Sequence, residues 1–230
     1  MRLLGVLGGM SWTSTAEYYR LLNRGVATRL GGLHSARVLL HSVDFAPVAA
    51  MQHDGDWAGT AAVLVEAARG LEGAGAEGLL LATNTMHKVA DEIEDAAGIQ
   101  LLHIADATAA RLVAEGRRKV GLLATAFTME QDFYTDRLRE HGLEVLVPNE
   151  AERGEVHRII YDELCLGVVR DESRVRYRQV MGRLAERGAE AIILGCTEIM
   201  LLVDAGDSPV PLYDTTAIHA EAAVDWLLDD

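Results

Sequence analysis

Across 230 residues the chain carries 21 Lys and Arg against 35 Asp and Glu, a formal net charge of −14, and half of its residues are hydrophobic. Phosphate backbones are held by clustered cations, and Arg117-Arg118-Lys119 is the one basic block that stands out, so nucleic acid is not an expected partner. No stretch reaches the roughly 18 apolar residues of a membrane span, the short apolar N-terminus stops at glycines instead of extending into a signal peptide, and two cysteines do not make a disulfide framework. A reducing, cytoplasmic setting without a membrane partner is therefore expected.

Short apolar runs alternate with longer helical patterns, which predicts βαβ units and an α/β fold with parallel sheets. The first strand is predicted over 2–7, followed by a helix over 13–29 capped by Ser11 or Thr13. A strand over 37–42 leads into 41–57, read as a polar and aromatic loop of the kind that lines a ligand crevice at strand ends. Next come a helix over 57–73, a strand over 78–82, a helix over 86–96, a strand over 100–103 and a helix over 106–115. The second half repeats the rhythm, with strands over 119–123, 143–146, 190–194 and 210–213. Its helices are predicted over 129–141, 151–165, 171–187 (capped by Asp171), 198–203 and 215–228.

The halves also repeat in detail. G-A-E-G-L-L-L-A-T-N-T-M at 75–86 matches G-A-E-A-I-I-L-G-C-T-E-I at 188–199, which sets Thr83 opposite Cys196. L-L-G-V-L-G-G-M at 3–10 matches K-V-G-L-L-A-T-A at 119–126, with Tyr19 and Tyr134 following. L-L-H-I-A-D-A-T-A at 101–109 matches P-V-P-L-Y-D-T-T-A at 209–217, aligning Asp106 with Asp214. Three matches in one order predict two homologous lobes: residues 1–99 plus 210–230, and residues 100–209. Lobes related by pseudo-symmetry would set Thr83 and Cys196 on opposite walls of one cleft, the arrangement that inversion at a carbon requires.

Cys196 ends a predicted strand just where a helix should begin, and a helix N-terminus lowers a thiol pKa. Asn84, Thr85, Thr125, Thr128 and Thr197 occupy comparable strand-to-helix turns, where backbone N–H groups and hydroxyls suit a carboxylate. Gly5, Gly8 and Gly9 lack the spacing of a nucleotide loop. They predict a tight turn that exposes backbone donors, with Ser11 facing the crevice. The eight histidines are scattered singly, with no metal-ligand spacing. A solvated helix face is the plain alternative for His87 and Lys88, favoured for Lys88, and Cys165 reads as structural.

G-G-M-S-W with the following Tyr-Tyr, A-T-N-T-M-H-K and G-C-T-E together resemble the aspartate/glutamate racemase family over nearly the whole chain. The resemblance implies two Rossmann-like lobes and a site between them, catalysis without cofactor or metal, and one cysteine per lobe exchanging the α-proton. It implies substrate contacts from Met10, Ser11 and Gln52 beside the turns above, and a homodimer is the expected assembly. The chain departs from the family pattern where Thr83 stands for the first cysteine. Met51-Gln52 stand where a side-chain-binding arginine is common, and Cys165 stands where the family has a lysine. The expected activity is a cofactor-independent amino-acid racemase with Cys196 and Thr83 as the proton-handling pair, faster from L to D. The alternatives are a single-cysteine decarboxylase or cis–trans isomerase of the same superfamily, and an amino-acid-binding protein without catalysis.

Overall fold

The computed structural model describes residues 1–229, and they form two compact units: Met1–Ile104 with residues from His219 onward, and Ala105–Ile218. The chain passes between units at 104/105 and 218/219, later than the sequence boundaries at 99/100 and 209/210. The reason is pairing. The strand at 100–102 hydrogen-bonds in the first sheet and the strand at 212–214 in the second.

In the first unit, β1 (Leu4–Gly8), β2 (Val38–Ser42), β3 (Gly78–Leu81) and β4 (Gln100–Leu102) form a parallel sheet in the order β2-β1-β3-β4. Alternate side chains enter two cores, as the two-residue period of a strand requires. Leu7, Leu79 and Leu81 join Leu64, Ala68 and Leu71 of α3 (Trp57–Gly73), and Leu4, Val6 and Leu80 join Tyr18 and Leu22 of α1 (Trp12–Leu30). A sheet covered on both faces accounts for β3 being apolar at every position. The segment read as a loop instead holds helix α2 (Phe45–Asp54), capped by Asp44 and ended by Gly55 in the left-handed region. Only Val48 and Gln52 are buried in it, too few apolar positions to show a period.

In the second unit, β5 (Lys119–Ala124), β6 (Glu144–Leu146), β7 (Ala191–Gly195) and β8 (Leu212–Asp214) repeat that topology as β6-β5-β7-β8. The duplicated Gly-Ala-Glu does the same work in both units. Gly75 and Gly188 have φ of 98° and 94°, a left-handed conformation that glycine adopts without a Cβ penalty. The next amides then close the preceding helices, Ala76 N–H onto Leu71 and Ala189 N–H onto Leu184, each at 3.0 Å. The two glutamates accept from the backbone beside the first strand of their unit, Glu77 from Leu3 N–H and Glu190 from Arg118 N–H, each at 2.7 Å.

Two of the sequence pairings fail in three dimensions. Tyr18, not the exposed Tyr19, is the buried counterpart of Tyr134. Asp214 closes β8 and caps α10 (Thr215–Leu228), whereas Asp106 lies inside α5 (Ile104–Ala114) and pairs with Arg137 and His141. The predicted 129–141 helix is two, α6 (Ala126–Glu130) and α7 (Asp132–Glu140), and the 171–187 helix is α9 (Asp171–Glu186), whose cap is Arg170.

Candidate active site

In the second unit β7 delivers Cys196. Gly195 is needed just before it, because a Cβ there would meet the Ala124 Cβ at 3.0 Å on the neighbouring β5. The chain then enters one short 3-10 turn, Thr197–Leu201, in place of the expected helix. Glu198 is buried within that turn, and the Cys196 thiol donates to its Oε2 at 3.1 Å. Burial first, and the Glu198 carboxylate second, push the thiol pKa well above the ordinary range. This reverses the expected helix-end activation: a turn of this length offers no array of aligned dipoles, and the adjacent charge is negative.

One side of α8 (Glu150–Asp162) faces the same place. Tyr161 is held in its protonated form by burial, and then by Cys196, Cys165 and Glu198. One turn earlier, the His157 ring packs on Tyr161 at 4.7 Å and its Nδ1 accepts from Ala126 N–H at 3.1 Å. That bond uses an amide at the start of α6. Thr125 and Thr128 flank it, both buried, with their hydroxyls 3.3 Å apart. Cys165 lies in the 3-10 turn Leu164–Leu166, which packs against the turn after Cys196. Burial, reinforced by Glu198, pushes its thiol up to about 12, in keeping with the structural reading.

In the first unit β3 delivers Thr83, half-buried, at the matching strand end, with its N–H on the Leu81 carbonyl at 2.9 Å. Asn84 and Thr85 follow, both buried, at the start of a 3-10 turn over Thr85–Val89, and Asn84 makes no side-chain cap to it. His87 is buried in this turn, and Lys88 lies 5.0 Å from the Trp57 ring. Gln52 is also buried, donating from Nε2 to the Met86 sulfur at 2.7 Å, while its Oε1 has no partner among the described residues. Met10 belongs to the same core as Met86, not to an open surface. The glycine turn is filled from within: Gly9 N–H donates to the Thr15 hydroxyl at 2.8 Å, and Ser11 caps α1 through Ser14 N–H at 3.2 Å. Backbone donors expected to point at a ligand there are thus partly spent on the fold.

The sequence reading named both strand-end residues and their neighbouring threonines, but gave no role to Glu198, His157, Tyr161 or His87. Glu198 was visible as the carboxylate two residues beyond the thiol in G-C-T-E. His157 and Tyr161 carried a fainter signal, their i, i+4 spacing on one helix face. Among the described residues no group of His, Cys, Asp and Glu is arranged to hold a metal, and no helix is long and apolar enough to cross a membrane.

A duplicated 2-1-3-4 parallel sheet, with Thr83 and Cys196 in matching turns after the third strand of each copy, defines a class that sequence comparison identifies. The chain belongs to the Asp/Glu/Hydantoin racemase family, whose profile matches residues 7–223. Among solved structures it is similar to a Yersinia pestis protein provisionally assigned as an Asp/Glu racemase, with 54% identity and a TM-score of 0.94 over 100% of both chains. It is also similar to an aspartate racemase homologue from Pyrococcus horikoshii, with 33% identity and a TM-score of 0.85, again over 100% of both. Among characterised sequences it shares 24% identity with the broad specificity amino-acid racemase RacX of Bacillus subtilis, over 72% of this chain and 71% of that one.

Proposed function

We propose that the protein is an amino-acid racemase that works without pyridoxal phosphate or metal, with Cys196 as the base on the α-hydrogen of the L-enantiomer. The observation that carries this reading is the Cys196–Glu198 contact at the end of β7. A buried thiol already hydrogen-bonded to a carboxylate can pass its proton to Glu198 when the substrate's α-ammonium group arrives. The resulting thiolate removes the α-proton, re-forming the S–H and leaving an enediolate on the substrate. Thr125, Thr128 and Thr197, with Asn84 and Thr85 from the other unit, are the groups proposed to hold the carboxylate as charge develops on it. On the opposite face the Thr83 hydroxyl gives its proton to the carbanion as it takes one from water, and the hydroxide so formed is neutralised through solvent by the proton that Glu198 releases. Threonine is too weak an acid to leave an alkoxide behind, so the relay is concerted.

The substrate side chain is proposed to be neutral, or acidic and held by donors other than an arginine. Gln52 replaces that cation, and its amide nitrogen is already engaged by Met86. The broad specificity in the name of the Bacillus subtilis relative supports the same breadth. The test is a screen of L-amino acids for α-deuterium incorporation in deuterium oxide, followed by chiral chromatography. Exchange with inversion is expected for the wild type and none for Cys196→Ser, while Cys165→Ser retains most of the rate. Loss of carbon dioxide would identify a decarboxylase, and binding without exchange a silent amino-acid-binding protein.

A further inference from the structure

Beneath the Thr83 turn lies a cluster of three buried histidines that the proposed chemistry does not use. The His87 ring is 4.5 Å from His103 and 5.9 Å from His219, centroid to centroid. His87 Nδ1 lies 2.8 Å from the Thr83 carbonyl oxygen, which can only accept, so Nδ1 carries the proton. His87 Nε2 lies 3.2 Å from the Ile104 amide, which can only donate, so Nε2 is bare. One neutral tautomer satisfies both contacts, and a protonated ring would set N–H against N–H. His219 is fixed in the same way: its Nε2 donates to the Leu102 carbonyl at 2.7 Å and its Nδ1 accepts from the Tyr18 hydroxyl at 2.9 Å.

The partners lie at particular places in the chain. Ile104 is the last residue of the first unit before the chain leaves it, and His219 is the first residue on its return. The two imidazoles therefore hold the backbone beside both crossings, and one of them also holds the carbonyl of Thr83.

We propose that His87 is a positioning residue, tying the Thr83 turn to the backbone at Ile104 and thereby fixing the hydroxyl that serves one face of the substrate. The proposal rests on the racemase reading for its consequence in catalysis, but not for the tie itself. Burial first, then the neighbouring imidazoles His103 and His219, hold the His87 pKa well below its ordinary value, so the ring keeps this tautomer through the neutral range. Tyr18 reaches the cluster through His219 and brings no charge.

Two substitutions separate the contacts. Asn places an amide N–H near the former Nδ1 and so keeps the bond to Thr83. Gln places its amide oxygen near the former Nε2 and so keeps only the bond from Ile104. With an L-amino acid in deuterium oxide, recovery of deuterated L-substrate reports the Cys196 face, and formation of the D-product also requires the Thr83 face. In His87→Gln the ratio of L-face exchange to inversion should rise about tenfold, since a displacement of one ångström at a reacting group costs on the order of a hundredfold. In His87→Asn, which keeps the Thr83 bond but loses the Ile104 anchor, the ratio should also rise, by less than in His87→Gln. Hydrogen exchange of the backbone amides should quicken over residues 83–87 in His87→Gln and not elsewhere in the unit.

A merely structural histidine predicts parallel loss of exchange and inversion, with an unchanged ratio in both variants, and that result would overturn the proposal. If the wild type exchanges no amino acid, the racemase reading fails, and the amide measurement decides alone. Quickened exchange confined to 83–87 then supports the tie, and unchanged protection there overturns it.

Discussion

Cys196 and Glu198 put two opposing effects on one bond. The carboxylate helps to raise the thiol pKa, which lowers the thiolate population, yet it is also the acceptor to which the thiol proton can move. Glu198→Gln separates the two. Removing the charge takes away one cause of the raised pKa, so alkylation of Cys196 by iodoacetamide should set in at lower pH in the variant. Catalysis should nevertheless fall, by about 10²–10⁴ in L-face exchange, the usual range for a lost general base. Faster catalysis in Glu198→Gln would show that the carboxylate only holds the thiol back. Because the thiol proton passes to Glu198 inside the site, thiolate formation neither takes a proton from solvent nor releases one. L-face exchange should therefore stay level from pH 6 to 9, and a rate rising steeply across that range would mean that the thiol loses its proton to solvent instead. Cys196 was legible in the sequence because a thiol at a strand end is conspicuous. Its environment was not, because burial and the direction of the Glu198 side chain depend on how the Leu164–Leu166 turn packs against the turn after Cys196.

Elements were easier to read than their caps. The strands of the described residues follow from short apolar runs bounded by turn residues, and the signal is densest in β1, β3 and β7, which are buried throughout. Helix α2 was lost because only Val48 and Gln52 are buried in it, and one of those is polar. His87 was given no role for a related reason: a lone histidine after Met86 carries no periodic signal, and its neighbours Ile104 and His219 of α10 are distant in sequence. The histidine cluster gives this part of the first unit a defined response to acid. Burial holds the His219 pKa down at about 4, below the 6.5 it has when exposed. The unfolded chain therefore binds a proton that the folded chain does not, and stability present above about pH 6.5 is lost as pH falls toward 4. At pH 5 the loss from His219 alone is about 2 kcal/mol. Urea unfolding at pH 7 and pH 5 should show it, and His219→Gln, although less stable at pH 7, should lose less between the two. An equal loss in both proteins would mean that His219 is already charged in the folded state.

The two units are copies of one topology that have diverged at the turn after the third strand. Both units keep the 2-1-3-4 sheet, the glycine closing the helix before the third strand, and the glutamate that follows it, yet one third strand ends in Thr83 and the other in Cys196. That much was legible, because the copies align without a gap from Gly75 and Gly188 to the strand ends. The domain boundaries were not, because each crossing comes only after the fourth strand has paired, and pairing is invisible in a single strand's composition. The divergence has a kinetic consequence under the proposed mechanism. Enantiomers of a free amino acid have equal free energies, so kcat/KM for net inversion must be the same in both directions, and no preference for L can appear there. Exchange without inversion is not so constrained. Cys196 can remove and return the L-face proton repeatedly, whereas starting from the D-enantiomer requires the Thr83 hydroxyl to act as a base. In deuterium oxide, L-substrate should therefore gain α-deuterium with retained configuration faster than it inverts, and D-substrate should gain it mainly with inversion. Thr83→Cys supplies a second thiol, provided sulfur fits where the hydroxyl stands, and should raise retained exchange from the D side toward that from the L side. If wild-type exchange with retention is equal from both enantiomers, Thr83 is not on the proton path. The first unit's contribution must then come from another group at that turn, with Asn84 the next to substitute.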